Sequence, residues 1–308
     1  MKILVAGGGL FGREHLKTLT TIGSVTLAVA EPREDARNKL SADFALADTD
    51  ADAFALIDRF QPDGIVIATP ADAHAPLALT ALEKTIPVLV EKPVTPDAKT
   101  LRALCEAAKA SRAFLLPGHI LRFSAEHRQL HEVLASGRIG KLLQFTSRRY
   151  RDASHADRYR DIDPVLMTMI HDIDLALWFS GEPAHVTSVA RRPAGTPRSL
   201  TAACLETASG VGWRLSTAWL HPGTDCPPDI VEIIGADGSA ELTAGSHIEI
   251  FGSHRERIPV DTKDDPLRRE LECFLDGIRS GVLKPPVTPQ DALDGLVVAE
   301  AIIGSLRR

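Results

Sequence analysis

The chain contains no apolar run near the ~18 residues that a membrane-spanning helix requires, and no lysine- or arginine-rich run of the kind that binds nucleic acid. A net charge of −6 works against a polyanionic partner in the same direction. The first glycines stand at position 7, which leaves no room before them for the apolar core of a signal peptide. Cysteine is scarce: Cys105, Cys204, Cys226 and Cys273 show neither C-x-x-C spacing nor a metal-ligand pattern. They are expected to be small buried hydrophobes in a reducing cytoplasm, with no metal bound. There are no internal repeats and no low-complexity segments. What remains is an ordinary soluble globular composition, 44% hydrophobic and 25% charged. A length of 308 residues accommodates two domains, taking roughly 100–200 residues for each.

The most informative stretch is Val5-Ala6-Gly7-Gly8-Gly9-Leu10-Phe11-Gly12. It follows the apolar run Ile3-Leu4-Val5-Ala6 and precedes a helical segment, residues 13–22. Strand, glycine turn and helix form the context in which G-x-G-x-x-G binds a dinucleotide. Gly7 permits the turn, Gly9 admits a pyrophosphate close to the backbone, and Gly12 lets the helix pack on the strand. The N–H groups of the helix start, where Leu10 and Phe11 stand, then face the phosphates. The pattern becomes strong with a carboxylate about 20 residues on, and Glu31 closes the run Val25-Thr26-Leu27-Ala28-Val29-Ala30. As an acceptor for ribose hydroxyls it favours NAD over NADP. Arg33 and Arg37 are near enough to take a 2′-phosphate, so NADP stays open.

Residues 1–121 alternate between strand and helix signals. A polar helix at 33–40, a short strand at 44–46 and a helix at 52–60 lead to an apolar strand at 64–68. A helix at 75–83, a strand at 87–90, a helix at 96–110 and a strand at 113–116 complete the series. Continuous apolar strands indicate burial on both faces, hence a parallel sheet. Past residue 122 come a helix at 125–136, a strand at 142–149 and a helix at 164–180. Six more strands follow, at 186–190, 201–207, 212–220, 230–234, 240–242 and 248–251, closed by helices at 265–278 and 291–305. Their partial alternation and Gly/Pro/Asp spacers indicate antiparallel pairing. The expected fold is α/β: an N-terminal Rossmann doubly wound parallel sheet (1–121), then an α+β domain (122–308) with an open, mainly antiparallel sheet.

Ligands of such a sheet bind at the strand carboxyl ends, so the residues there are the candidates. Ala68-Thr69-Pro70 and His74 end the fourth strand and line a cofactor path, although His74 serves equally well as a helix-start residue. The fifth strand ends in Glu91-Lys92-Pro93. A lysine beside a cofactor in a crevice, its pKa lowered by its surroundings, exchanges a substrate proton near neutral pH. Glu91 would hold it in place; the plainer reading is a lysine snorkelling to the surface. Gly118-His119 ends the sixth strand, with Arg122 read first as a structural tie. In the helix at 164–180, Asp163 is suited to the N-cap and Pro164 to the first turn. Met169-Ile170-His171-Asp172-Ile173-Asp174 places His171 and Asp174 on one face. Arg149 and Arg151 share one face of the strand at 142–149 and its extension, Arg148 the other. They suit a carboxylate-bearing substrate or, as readily, a solvated or interface strand.

Taken together these segments resemble the glucose–fructose oxidoreductase/inositol dehydrogenase (Gfo/Idh/MocA) family of NAD(P)-dependent oxidoreductases. The resemblance rests on Gly7-x-Gly9-x-x-Gly12-x-x-His15, Ala68-Thr69-Pro70 with His74, and Glu91-Lys92-Pro93. It continues through Gly118-His119-x-x-Arg122-Phe123, His171-Asp172-Ile173-Asp174, and the ending from Val287-Thr288-Pro289 to Ser305. It implies hydride transfer between a nicotinamide and a secondary alcohol or carbonyl of a sugar, polyol or related hydroxy compound. Lys92 and His171 would act at the reacting carbon, His119, Met167 and Arg149 would contact the substrate, and the open sheet would build a homodimer or homotetramer. One departure stands out. The family often carries an aspartate four residues before this histidine, and here the position is Met167. The competing reading, a non-catalytic dinucleotide or sugar sensor on the same fold, draws on that departure, and retention of Lys92 and His171 opposes it.

Overall fold

Apolar runs of four or five residues become the strands of the first sheet in the computed structural model, which describes residues 1–307. The order along the chain is β1 (Lys2–Ala6), α1 (Leu10–Ile22), β2 (Thr26–Ala30), α2 (Glu34–Asp43), β3 (Leu46–Asp50), α3 (Ala53–Phe60) and β4 (Gly64–Ile67). It continues with α4 (His74–Glu83), β5 (Val88–Glu91), α5 (Ala98–Ala110) and β6 (Leu115–Gly118). The six strands lie in the order β3-β2-β1-β4-β5-β6, every neighbouring pair parallel. The order reverses at β1 and β4, so the ligand crevice of this doubly wound sheet opens outside the carboxyl ends of those two strands.

The third strand differs from expectation. Phe44 caps α2 and the strand is Leu46–Asp50, a polar segment. At the sheet edge it needs no apolar face on both sides, and Arg59 neutralises it by bonding Asp48 and Asp50.

The second sheet is built from longer, alternating strands. After α6 (Ala125–Ala135) come β7 (Leu142–Asp152) and the short α7 (Ser154–Arg158), then a π turn, Val165–Met169, running into α8 (Ile170–Ser180). There follow β8 (Ala184–Arg192), β9 (Leu200–Thr207), β10 (Gly212–His221), β11 (Ile230–Gly235), β12 (Gly238–Thr243), β13 (His247–Phe251) and β14 (Arg255–Pro259). They form an eight-stranded sheet, β14-β13-β12-β11-β7-β10-β9-β8. Only β7 and β10 pair in parallel. In β9 the inward Thr201, Ala203, Leu205 and Thr207 alternate with exposed Ala202, Cys204 and Glu206, the signature of a sheet with one covered face. The core beneath it holds Phe145, Trp213, Leu215 and Ile233 from the sheet, with Ile170, Ile173 and Leu177 from α8.

The chain closes with α9 (Pro266–Ser280) and α10 (Pro289–Leu306). Two compact units result. The first joins Met1–Ile120 to Asp265–Leu293, and the second joins Leu121–Asp264 to the residues from Asp294 onward. Asp265–Leu293 therefore packs with the parallel sheet although it lies far along the sequence. Gly64 and Gly277 make room: a Cβ would stand 2.5 Å from Ile278 at the first and 2.8 Å from Phe114 at the second.

Three further expectations are corrected. β14 (Arg-Glu-Arg-Ile-Pro) was not anticipated, because an edge strand with a single buried-side apolar residue carries no pattern. The helix expected at 164–180 is a π turn followed by an α-helix, so a simple 3.6-residue spacing does not relate Met167 to His171. Of the four cysteines only Cys105 is buried, and Cys204 is exposed on the outward register of β9.

Candidate active site

The glycine loop is fixed by close packing on one side and open on the other. Gly7, at φ +101°, donates its N–H to Ala30 O at 2.8 Å, and a Cβ there would meet Ala68 O at 2.6 Å. At Gly12 a Cβ would fall 1.9 Å from Gly7 O. Around Gly9 there is nothing within 4 Å of that position. The first turn of α1 carries no side-chain cap and no acidic residue, and Leu10 and Phe11 are exposed. Its free N–H groups are what an anion requires. A cavity of about 410 Å³ adjoins the loop, lined by Gly8, Gly9, Leu10, Arg13, Arg33 and Lys39 among others.

Glu31 ends β2 with a buried carboxylate. Oε2 accepts from Gly8 N–H at 2.9 Å, and Oε1 accepts from Arg33 N–H at 3.1 Å and Arg33 Nε at 2.9 Å. Burial works to raise its pKa, but the bonds from Arg33 and Gly8 outweigh burial and hold the carboxyl below the ordinary value of 4.5. The stability these bonds give is present above that value and lost as pH falls through the lower, folded one. Three of roughly four lone-pair sites are used, which leaves one for a hydroxyl. Arg37 is turned to the backbone, donating to Glu31 O at 2.7 Å. The residues fit a dinucleotide: an uncapped helix start, an open loop and a buried carboxylate with spare acceptor capacity. Glu31→Ala is expected to weaken NAD binding by about 10- to 100-fold, the ~1.5–3 kcal/mol of a hydrogen bond to a charged group, and to narrow the NAD/NADP preference. Fluorescence titration with both dinucleotides measures this, and an unchanged ratio would remove Glu31 from cofactor choice.

At the ends of β4, β5 and β6 the expected residues separate into two groups. His74 is buried, its Nε2 2.7 Å from Thr69 O and its Nδ1 3.3 Å from Val94 O. Burial pushes its pKa down even though both carbonyls favour the cation. It ties the β4 end to the segment after β5. Ala68 packs on Gly7, and Thr69 and Pro70 follow it at the surface of the crevice. Glu91 is also buried, engaged by His15 Nε2 at 2.8 Å and by Lys92 N–H at 3.2 Å. It anchors the strand end from beneath. Lys92 follows directly, half-buried. His119 is buried at the end of β6. His15, three residues after Gly12, brings α1 into the contact with Glu91.

In the second unit the acids around His171 are all committed. Asp163 accepts from Val165 N–H at 2.9 Å and is gripped by Arg191 at 2.6 and 2.8 Å. Asp174 pairs with Arg122, Nε to Oδ2 at 3.0 Å, both groups buried. Asp172 receives Arg149 through Nη2 at 3.0 Å and Nε at 3.2 Å. Arg149 also bonds Asp229, which Arg151 holds at 2.8 and 2.9 Å. Burial works against the Arg149 cation, but Asp172 and Asp229 more than restore it. A substrate carboxylate meeting Arg149 would have to displace one of these two acids. Asp163, Asp172 and Asp174 are thus each engaged by an arginine. Thr168, the neighbour of Met167 in the π turn, is turned inward to accept from Trp219 Nε1 at 2.9 Å.

Comparison with known proteins agrees with this architecture. Residues 1–119 match the model of an oxidoreductase family with an NAD-binding Rossmann fold, and residues 127–241 match the GFO/IDH/MocA C-terminal domain. Inositol 2-dehydrogenase 2 of Saccharopolyspora erythraea is 30% identical over 321 residues, covering 99% of this chain and 93% of that protein. Inositol 2-dehydrogenase of Leifsonia xyli subsp. xyli is 33% identical, with 100% and 92% covered. Inositol 2-dehydrogenase 4 of S. erythraea is 31% identical, but the match takes in 68% of this chain and 64% of that protein. Among solved structures, an oxidoreductase of Agrobacterium radiobacter in complex with NAD+, L-tartaric acid and magnesium superposes with a TM-score of 0.88 at 17% identity, covering 100% of this chain and 96% of that one. Myo-inositol 2-dehydrogenase of Lactobacillus plantarum gives 0.86 at 20%, covering 100% and 97%. The chain belongs to the Gfo/Idh/MocA family of NAD-binding oxidoreductases.

Proposed function

We propose that this protein is a dehydrogenase of a cyclic polyol or sugar, with Lys92 and His171 handling the proton of the reacting hydroxyl. The observation that carries the reading is the match of 30–33% identity to inositol 2-dehydrogenases along essentially the whole chain. NAD, when bound, supplies a nicotinamide that accepts or returns a hydride. The chain's own residues supply the rest. The uncapped start of α1 and the open face of Gly9 seat the phosphates, and Glu31 takes a ribose hydroxyl. Lys92, anchored through Glu91 and His15, removes the hydroxyl proton during oxidation and returns it during reduction. His171 donates a hydrogen bond to the oxygen as its charge develops. Met167 narrows the substrate: no carboxylate stands there to accept a hydroxyl, so an apolar or deoxy position of the ligand is favoured beside it.

Absorbance of the reduced cofactor across a panel of inositols, aldoses, deoxy sugars and hydroxy acids, with NAD and with NADP, tests this. Turnover should concentrate among cyclic polyols and sugars with NAD. Tight NADH binding without turnover on any of them would instead fit the sensor reading. The oligomer expected is a homodimer or homotetramer, supported by the exposed Leu143, Leu220 and Phe251 on the second sheet. A cytoplasmic location is supported by four free thiols. No helix among the described residues is long and apolar enough to cross a membrane.

A further inference from the structure

Glu270, on α9, is wholly buried, and neither of its carboxyl oxygens has a hydrogen-bond partner in the protein. α9 packs on α1, which carries the buried His15. The charge that acts on Glu270 is that of Glu91. The two carboxyls are not equivalent. Glu91 receives His15 Nε2 at 2.8 Å and the Lys92 N–H at 3.2 Å, while Glu270 receives nothing. The other titratable group beside Glu270 is Cys273 on its own helix, a thiol raised by burial, by Asp276 and by Glu270 itself. Two neighbouring carboxyls in a dry site do not both ionise, and the one without donors keeps its proton.

We propose that Glu270 is a positioning residue that stands as a neutral carboxylic acid behind the Glu91-Lys92-Pro93 strand end, so that Glu91 remains the single carboxylate there and holds the backbone of Lys92 in place. Ionising Glu270 sets a second negative charge against Glu91 in a site that water does not reach. The strand end then loses the His15–Glu91 geometry that fixes it. The link to Lys92 rests on the function proposed above; the ionisation state of Glu270 does not.

The sign of the pH effect follows from linkage. Burial and Glu91 raise the pKa of Glu270 well above 4.5, so the native state keeps a proton that the unfolded chain has lost. Stability is therefore full below the unfolded value and falls as pH rises towards the folded one. Glu270→Gln and Glu270→Leu remove that slope. With the full-length protein and NAD, the thermal midpoint of either variant should gain on the parent as pH rises above about 4.5 and then level off. The infrared carbonyl stretch of a protonated carboxylic acid should be present in the parent at neutral pH and absent from Glu270→Gln. Absence of that band from the parent, or a midpoint difference independent of pH, overturns the assignment, and the parent's band decides it even if a variant fails to fold. The alkaline limb of kcat should also move to higher pH in Glu270→Gln. Identical kcat profiles would overturn the link to Lys92 while leaving the neutral acid established. A Lys92→Ala variant with parental activity would overturn the proposed function instead.

Discussion

Lys92→Ala lowers kcat/KM for the best substrate by about 10²- to 10⁴-fold, the usual contribution of a positioned general acid–base group, while NADH still binds. The expectation follows from where the residue stands. β5 is buried along its whole length, Val88–Glu91, and Lys92 is the first residue past its carboxyl end, in the row of strand ends where this architecture places its ligands. The strand end is held from below by a buried His15–Glu91 pair, with the Lys92 N–H bonded to the same carboxylate. Such support fixes the start of the lysine side chain, which suits a group that must reach a hydroxyl and exchange a proton. Lys92→Arg should not rescue activity, because a guanidinium does not release its proton in the working pH range. The loss should appear mainly in kcat, since the interaction is made as charge develops. Combining Lys92→Ala with His171→Ala should cost less than the sum of the two, as for groups that serve one proton. Parental turnover by Lys92→Ala would end the mechanism proposed.

The parts of this site that the sequence made legible are those where backbone geometry demands a residue type. Gly7 and Gly12 are required by contacts of 2.6 and 1.9 Å that any Cβ would violate, and Glu31 stands at a strand end beside Gly8. The polar strand Leu46–Asp50 carries no apolar run, because such runs mark only strands buried on both faces and this one is an edge satisfied by Arg59. The π turn at Val165–Met169 was invisible because its residues have no composition of their own; it depends on tertiary partners such as Trp219. α9 shows a clear amphipathic stripe, yet a stripe says that a helix is covered and not by what. Its placement with the parallel sheet needs the small residues Gly64 and Gly277, whose meaning is three-dimensional. Buried charges were the hardest to assign. Arg149 looks like a ligand-binding arginine in a sequence, and only the positions of Asp172 and Asp229 show that its charge is already engaged.

The engagement of Arg149 by two acids makes the second large prediction. Arg149→Leu should destabilise the protein by about 3–5 kcal/mol, the cost of leaving a buried carboxylate without its partner. Asp172 is 1% exposed and takes its donors from Arg149. Burial already pushes its pKa up, with Arg149 pulling it back. Asp229 is cushioned, because Arg151 continues to bond both its oxygens. The damage should therefore centre on Asp172, and Arg149→Leu combined with Asp172→Leu should recover much of the loss, since replacing both members of a buried pair with apolar groups is often close to neutral. The pair joins α8 to β7, and α8 is the helix that carries His171, so the single variant should lose activity in step with its folded fraction. Denaturant unfolding of the three proteins, read beside KM on the best substrate, separates the two roles. If Arg149→Leu kept the parent's unfolding midpoint and raised only KM, the guanidinium would be a substrate ligand after all, and Asp172 would have to find its donor elsewhere.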